Sequence, residues 1–314
     1  MSCAMQDSAY AELFSHRATY SGTAPVGEWP ALPFADVLHS VGNSHCHVVS
    51  TSDGLWGSAG LHNWARLETL AAGTRLLEGL AAVSSDGRVS ALDCAGNATL
   101  IATLDTACAQ SVTSGQFDAG SGALVVGCDS GVYLGTASTA KPSPLVREPS
   151  VDGGVIASAT WAGYVAAATT QRLHWRRPSG EWWWEWISLA HGDVSTCDGD
   201  YDGGAVEGAP VALAFDAGHG SDGGLWIGHA FGLQVLDLTH GALQRFGVYD
   251  GPTGLPVANV TSLAVGAAEL WVGTARGLAR RTSSSGEWRY IAGRRWLPGA
   301  AVSAVVSPAG SPAT

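Results

Sequence analysis

Lysine is almost absent from this chain, and basic residues in general are few. Lys141 is the single lysine, and 27 acidic residues outnumber the 16 basic ones, which gives a formal net charge of -11. A protein with this charge repels the phosphate backbone of nucleic acids, so we expect no nucleic-acid partner. Six arginines near the C-terminus suggest either a local anion-binding patch or solvated outer strands: Arg276, Arg280, Arg281, Arg289, Arg294 and Arg295.

Long apolar runs are absent too. No stretch of 18 consecutive apolar residues occurs, so a membrane-spanning helix is not expected. The first residues, through Arg17, lack the apolar core of a signal peptide. We therefore expect a soluble monomer without membrane contact, in the cytoplasm by default, with a fragment of a longer multidomain sensor as the alternative.

Familiar catalytic and metal-binding motifs are missing. The six cysteines stand far apart without a C-x-x-C pair, which argues against the common zinc motifs, and there is no phosphate-binding P-loop. Ser221 lacks the glycine two positions earlier that a nucleophile elbow requires. We expect the cysteines to be free thiols buried in strands, although their even number leaves disulfides open.

Glycine and tryptophan, by contrast, are abundant. The chain has 42 glycines and 13 tryptophans beside two methionines, and 46% of its residues are hydrophobic. This composition is typical of many short strands that are joined by tight turns and packed through aromatic rings. Because closed all-β folds often reach 314 residues as one unit, we expect a single domain.

A repeated motif predicts the architecture. Leu225–Gly228 and Leu270–Gly273 both read Leu-Trp-(Ile/Val)-Gly, and each follows an apolar strand and precedes a Gly-Leu pair. Weaker copies occur upstream, around Leu55, Arg88, Leu124 and Tyr164. This spacing is typical of the four-stranded blades of a β-propeller, whose ring buries both faces of every blade. We therefore predict an all-β propeller with seven blades, or with six as the alternative.

The predicted propeller spans residues 36–307. Residues 1–35 are expected to form an N-terminal extension or part of the closing blade, and residues 308–314 a disordered Ser/Pro/Ala tail. The last apolar strand, Val302–Val306, would complete the N-terminal blade and close the ring, which removes the exposed sheet edge.

The second copy of the repeat resembles a known family. Thr253–Val265, continuing into Leu270–Thr274 and the pair Gly277 and Leu278, is similar to the two-component regulator propeller repeat. Residues 210–237 resemble it as well. The resemblance implies a ligand-binding sensor, often of saccharides and often ahead of a kinase. Because this chain has no kinase motif, signalling through a kinase is not carried over.

Four tryptophans in five positions form the most distinctive candidate site. On a strand, Trp182, Trp184 and Trp186 share one face, where flat indole rings can stack on a sugar. Neighbouring charged residues would complete this ligand site, namely Arg172, Arg176 and Glu185. The alternative is that the rings fill the groove between two blades on an outer strand.

An acidic run follows this strand. Asp198, Asp200 and Asp202 alternate in a D-x-D-x-D-G pattern, which supplies the oxygen ligands and the glycine turn of a calcium loop. The twelfth position holds Ala209 instead of a bidentate glutamate, so Glu207 would have to substitute. Calcium is thus the only cofactor suggested, and a solvated acidic loop is the alternative.

These features favour a binding module over an enzyme. We predict a non-enzymatic propeller that binds a small ligand, such as a saccharide, or a protein partner. A propeller lyase or hydrolase acting on a saccharide is the alternative, and it needs acidic and basic residues from several blades to converge in the central channel. A channel lined by small neutral residues would instead favour binding or scaffolding.

Overall fold

A computed structural model of the chain describes most residues between 39 and 305. The described residues are 39–42, 46–51, 54–59, 64–67, 70, 74–93, 95, 97–188, 206–219, 223–246, 255, 257–266, 269–283, 285–292, 301–302 and 305, without the side chains of 39, 184–188, 207 and 245. The predicted extension 1–35, the predicted tail 308–314 and the calcium candidates Asp198, Asp200 and Asp202 lie outside the described residues.

The first half of the chain forms three blades. Blade 1 comprises β1 (His39–Gly42), β2 (His47–Thr51), β3 (Gly54–Ser58) and β4 (Trp64–Arg66). Blade 2 comprises β5 (Arg75–Leu77), β6 (Ala81–Val83), β7 (Arg88–Leu92) and β8 (Ala98–Thr103). The short helix α1 (Thr106–Gln110) follows, and blade 3 comprises β9 (Val112–Phe117), β10 (Ala123–Cys128), β11 (Gly131–Thr136) and β13 (Val146–Arg147). The intervening β12 (Ser143–Pro144) pairs in parallel with β8 of blade 2.

The second half forms three more blades. Blade 4 comprises β14 (Val155–Trp161), β15 (Tyr164–Thr169), β16 (Arg172–Arg176) and β17 (Trp182–Ser188), and β18 (Val206–Glu207) pairs in parallel with β17. Blade 5 comprises β19 (Pro210–Asp216), β20 (Gly224–His229), β21 (Gly232–Asp237) and β22 (Leu243–Phe246). Blade 6 comprises β23 (Val260–Val265), β24 (Glu269–Thr274), β25 (Gly277–Thr282) and β26 (Trp288–Ile291).

The six blades form a propeller ring, with antiparallel pairing between successive strands of each blade. The all-β propeller predicted from the sequence is confirmed, with six blades, the alternative to seven. The two Gly-Leu pairs stand at the start of the third strands of blades 5 and 6. Their glycines, Gly232 and Gly277, have φ values of 147° and 154°, and this region of backbone conformation favours glycine. No helix in the described part of the chain is long and apolar enough to cross a membrane.

Apolar clusters between consecutive blades hold the ring together. One such cluster joins blades 1 and 2 around Val48 and Leu76, and another joins blades 4 and 5 around Trp175 and Leu225. Similar clusters join blades 2 and 3, 3 and 4, and 5 and 6. Each blade in the middle of the chain therefore buries both of its faces against neighbours, as the repeat predicts.

Trp226, the tryptophan of the first strong repeat, is a packing residue. Its side chain is 0% exposed between blades 5 and 6, and its Nε1 donates a hydrogen bond to Asp216 Oδ2 at 3.0 Å. The ring of Phe246 lies 5.0 Å away, and the guanidinium of Arg281 lies over the indole. Trp271, its counterpart one blade later, is half-buried, with Arg280 over its ring.

Residues near the C-terminus continue the packing scheme beyond blade 6. A Cβ on Gly228 would lie 2.5 Å from Val260, which begins blade 6, and a Cβ on Gly273 would lie 3.1 Å from Val302. The Val302 amide donates to the Thr274 carbonyl at 3.0 Å. Val302 thus contacts blade 6 as the first residue of a following blade would, and the closing role of its strand stays a prediction.

Two cysteines form a disulfide, contrary to the free thiols expected from the sequence. Cys108 of α1 is bonded to Cys128 at the end of β10, and both are fully buried. The helix brings Cys108 to this position, because the Asp105 side chain caps its first turn by accepting a hydrogen bond from the Ala107 amide. A buried disulfide favours folding in an oxidising compartment over the cytoplasm.

We expect Trp226→Phe to destabilise the protein far more than Trp271→Phe. The first change opens space between blades 5 and 6 and removes the hydrogen bond to buried Asp216, so the free energy of unfolding should fall by about 2–4 kcal/mol. The second change affects a half-exposed ring and should cost less than about 1 kcal/mol. Urea denaturation followed by circular dichroism measures both, and equal losses would contradict the interface role of Trp226.

Candidate functional site

A cavity of about 340 Å³ lies on the axis of the ring. Its wall is made of residues from the first strands of all six blades, together with Ser50 of β2 and Val305. In a propeller these strands are the ones nearest the axis, while the outer strands provide most of the packing between blades. The cavity is therefore the central channel of the propeller, where the enzyme alternative predicts acidic and basic residues to converge.

Small neutral side chains form most of the channel wall. Its hydroxyl groups belong to Ser40, Ser50, Thr74, Thr113, Ser114, Ser158, Thr261 and Ser262. Some of these groups bond to the wall itself, since Ser114 and Ser158 lie 3.0 Å apart and the Thr113 hydroxyl donates to the Val155 carbonyl. The Ser262 hydroxyl has no hydrogen-bond partner among the described residues. The wall thus offers hydroxyls around a largely preformed space.

Two charged side chains line this otherwise neutral channel, Arg75 and Glu78. Both come from the inner edge of blade 2. Within the described part of the chain, neither side chain has a hydrogen-bond or ion-pair partner. Neither Arg75 nor Glu78 was among the residues predicted from the sequence to form a site.

The backbone holds Glu78 firmly in place. Its amide donates to the Gly115 carbonyl at 3.0 Å, and its carbonyl accepts from the Phe117 amide at 2.8 Å, so it bridges blades 2 and 3. The next two residues, Gly79 and Leu80, have φ values of 81° and 60°. Leu80 adopts this left-handed conformation although it has a branched side chain, which is a local strain of the kind found at functional sites.

The channel changes the acidity of Glu78. Its side chain has accessible surface, but that surface faces the channel, and protein surrounds the carboxyl group on the other sides. Burial of this kind disfavours the charged form and raises the pKa of Glu78 from 4.5 to about 7. Near neutral pH the group is therefore present in both forms, able to donate as well as accept a hydrogen bond.

Glycoside hydrolysis can be compared with the carboxyl groups that the described lining residues provide. Retaining and inverting hydrolases use a pair of carboxyl groups, whereas Glu78 is the only carboxyl group among the described lining residues. No group of three His, Cys, Asp or Glu residues in the described regions is placed to hold a metal ion. Among the described lining residues, the charged ones come from blade 2, whereas the enzyme interpretation predicted charged residues from several blades.

The tryptophan-rich strand β17 is split between two blade interfaces. In the register with β16, Trp182 pairs with Arg176, and Trp186 pairs with Arg172. Trp182 packs against the cluster between blades 3 and 4, with the Arg176 guanidinium 5.5 Å from its ring. In the same register, position 185 pairs with Leu173. The sugar site predicted on this strand stays a prediction.

Trp183 is the exposed member of this strand. Its side chain is 45% exposed, and its ring stacks on buried Trp175 at a centroid distance of 6.0 Å. Arg177 lies beside both rings and donates hydrogen bonds to the carbonyls of Leu238 and Thr239 in blade 5. Arg177 thus joins blades 4 and 5, which is a packing role.

Two of the C-terminal arginines also take packing roles. Arg280 lies over Trp271 and forms an ion pair with Glu269 at 3.1 Å. Arg281 lies against Trp226 and Phe246, and burial lowers the pKa of its guanidinium. These contacts support outer-strand packing over an anion-binding patch in this part of the chain.

Two solved structures align with this chain at low sequence identity. The extracellular domain described for a one-component system of B. thetaiotaomicron aligns with a TM-score of 0.39 and 12% identity, over 82% of this chain and 28% of that chain. An ancestral GH74 enzyme aligns with a TM-score of 0.43 and 10% identity, over 82% of this chain and 31% of that one. The chain thus spans less than a third of either protein. No family model and no curated protein matches, so the two-component regulator propeller family remains a prediction.

We expect Glu78→Gln to remove a pH dependence of stability. The pKa of Glu78 is higher in the folded protein than in the unfolded chain, so the folded state binds more protons between these values and loses stability as pH rises from about 5 to about 8. The variant should gain on the order of 1 kcal/mol at about pH 8, because water in the channel screens part of the penalty.

Thermal unfolding between about pH 5 and about pH 8 measures this effect. Glu287→Gln is the matched control, because Glu287 is exposed before the outer strand β26. The same pH profile for Glu78→Gln and the unaltered protein would show that Glu78 titrates normally.

Proposed function

We propose that the protein is a non-enzymatic binding module that holds a small, hydroxyl-rich ligand, such as a saccharide, in its central channel. The observation that carries this proposal is the pair Arg75 and Glu78, two charged side chains that have no partner among the described residues and face a channel lined by hydroxyl groups. A sensing role, in which ligand binding in the channel is the signal, is the form of this function that the sequence resemblance implies.

Energetics support a ligand at this position. A charged or polar group that is enclosed without a partner is costly, and a ligand that supplies the missing hydrogen bonds recovers that cost on binding. Hydrogen bonds to charged groups contribute about 1.5–3 kcal/mol each, so two such groups suffice to orient a small polar molecule. The cavity volume of about 340 Å³ is at the lower end of the range for small-molecule sites.

Binding is better supported than catalysis. A saccharide hydrolase needs a second carboxyl group near Glu78, and the described channel wall offers neutral side chains instead. A wall of small neutral residues was the feature expected of a binding propeller. The alternatives of a tryptophan site at Trp182, Trp184 and Trp186 and of a calcium loop at Asp198, Asp200 and Asp202 remain proposals that the same measurements can test.

Isothermal titration calorimetry of the full chain with a panel of neutral and acidic mono- and disaccharides tests the channel site. We expect at least one member to bind, and Glu78→Leu, which removes the hydrogen-bonding oxygens of both forms of Glu78, to weaken its binding about tenfold or more. Glu287→Gln is the control that keeps the wild-type affinity, since Glu287 is exposed on the outer side of blade 6.

Two outcomes would contradict the proposal. The absence of binding across the whole panel would contradict a saccharide site in the channel. Loss of binding in Trp183→Ala, with no loss in Glu78→Leu, would place the site on the tryptophan-rich strand instead. Chromatography of the same mixtures detects cleavage, and released products would favour the lyase or hydrolase alternative. Addition of Ca²⁺ or of a chelator to the titrations tests the calcium loop.

A further inference from the structure

Arg75 differs from the other arginines whose contacts the structure describes. Arg280 forms an ion pair with Glu269, Arg177 donates to two backbone carbonyls, and Arg147 donates from Nε to the Ser130 carbonyl at 2.8 Å. Arg75 faces the channel, where the described residues provide it with neither a carboxylate nor a carbonyl partner. The five donors of a guanidinium group remain available to whatever enters the channel.

The acidic composition of the chain makes the surroundings of Arg75 unusual. The protein carries 27 acidic residues against 16 basic ones, so a surface arginine has carboxylates in plentiful supply. Arg75 instead lines the channel among hydroxyls and aliphatic side chains and is exposed there, so its guanidinium group is accessible to a ligand. A guanidinium group in such a place matches a carboxylate through two parallel hydrogen bonds.

We propose that the channel ligand is a sugar acid whose carboxylate binds Arg75 and whose hydroxyl groups contact Glu78 and the serine and threonine side chains. This inference rests on the proposed function and specifies its ligand class. The hydroxyl-lined wall suits the polyol part of the molecule, and Arg75 selects the acid over the neutral sugar of the same size.

Glu78 then gives the binding a characteristic pH dependence. Arg75 is the only other charged group that lines the channel in the described regions, and the strand β9 that contacts Glu78 presents uncharged residues there. A bound carboxylate in the same cavity disfavours ionised Glu78, so the complex takes up a proton. The affinity for the acid therefore falls as pH rises from about 6 to about 8, whereas a neutral sugar that donates hydroxyl hydrogen bonds does not prefer protonated Glu78.

Isothermal titration calorimetry of the full chain with D-glucuronate and with uncharged D-glucuronamide tests this proposal. The two probes have the same shape, so we expect the acid to bind at least tenfold more tightly if Arg75 reads its charge. Arg75→Gln should abolish this preference, and Arg289→Gln, a change of an exposed arginine on β26, should retain it. Glu78→Gln should keep the preference but lose the pH dependence, and thermal unfolding of each variant shows that it is folded.

The outcomes separate this inference from the proposed function. Equal binding of acid and amide, weakened by Glu78→Leu, would overturn the acid specificity and leave the channel site intact. The same preference in Arg75→Gln as in the unaltered protein would also overturn it. Failure of both probes and of the whole saccharide panel would overturn the proposed function, and the acid specificity with it.

Discussion

Packing between blades is the interaction on which the rest of this structure depends. A four-stranded blade is too small to bury its two apolar faces alone, so each blade is stable only between neighbours. Trp226 illustrates the solution, because its ring fills the space between blades 5 and 6 and its indole nitrogen bonds to Asp216. The tryptophans are therefore committed first to the scaffold, and Trp175 and Trp182 follow the same rule in blade 4.

Because the bulky residues pack between the blades, the axis of the ring remains an open channel. Because bulky residues on the second to fourth strands bury most of the apolar surface, the first strands need only small side chains where they approach one another. The channel wall accordingly carries serine, threonine and alanine from five blades. Blade 2 departs from the pattern with Arg75 and Glu78, and the left-handed turn at Gly79 and Leu80 fixes the second of these between two blades.

The repeat made the fold predictable, whereas the site was not. Leu-Trp-(Ile/Val)-Gly and the following Gly-Leu encode local strand and turn geometry, which a sequence displays directly. Arg75 and Glu78 belong to a weak copy of the repeat, and their enclosure depends on strands more than 30 residues away, such as β9 and β23. The tryptophan-rich strand attracted the sequence-based prediction because of its composition, but the pairing of β16 with β17 divides it between two interfaces. The disulfide between Cys108 and Cys128 could not be predicted from the sequence either, since it depends on where α1 places the thiol of Cys108.

The contrast between blade 2 and the other blades is itself an argument for function. Six blades surround the axis in similar ways, so a neutral side chain at every lining position would satisfy the needs of folding. A carboxyl group whose pKa is raised to about 7 lowers stability at neutral pH, so Glu78 is a cost to the fold. Residues that oppose stability while the scaffold has no need of them are characteristic of binding sites. Because both charges come from one blade, they break the symmetry of the ring, and a ligand in the channel has a single preferred orientation.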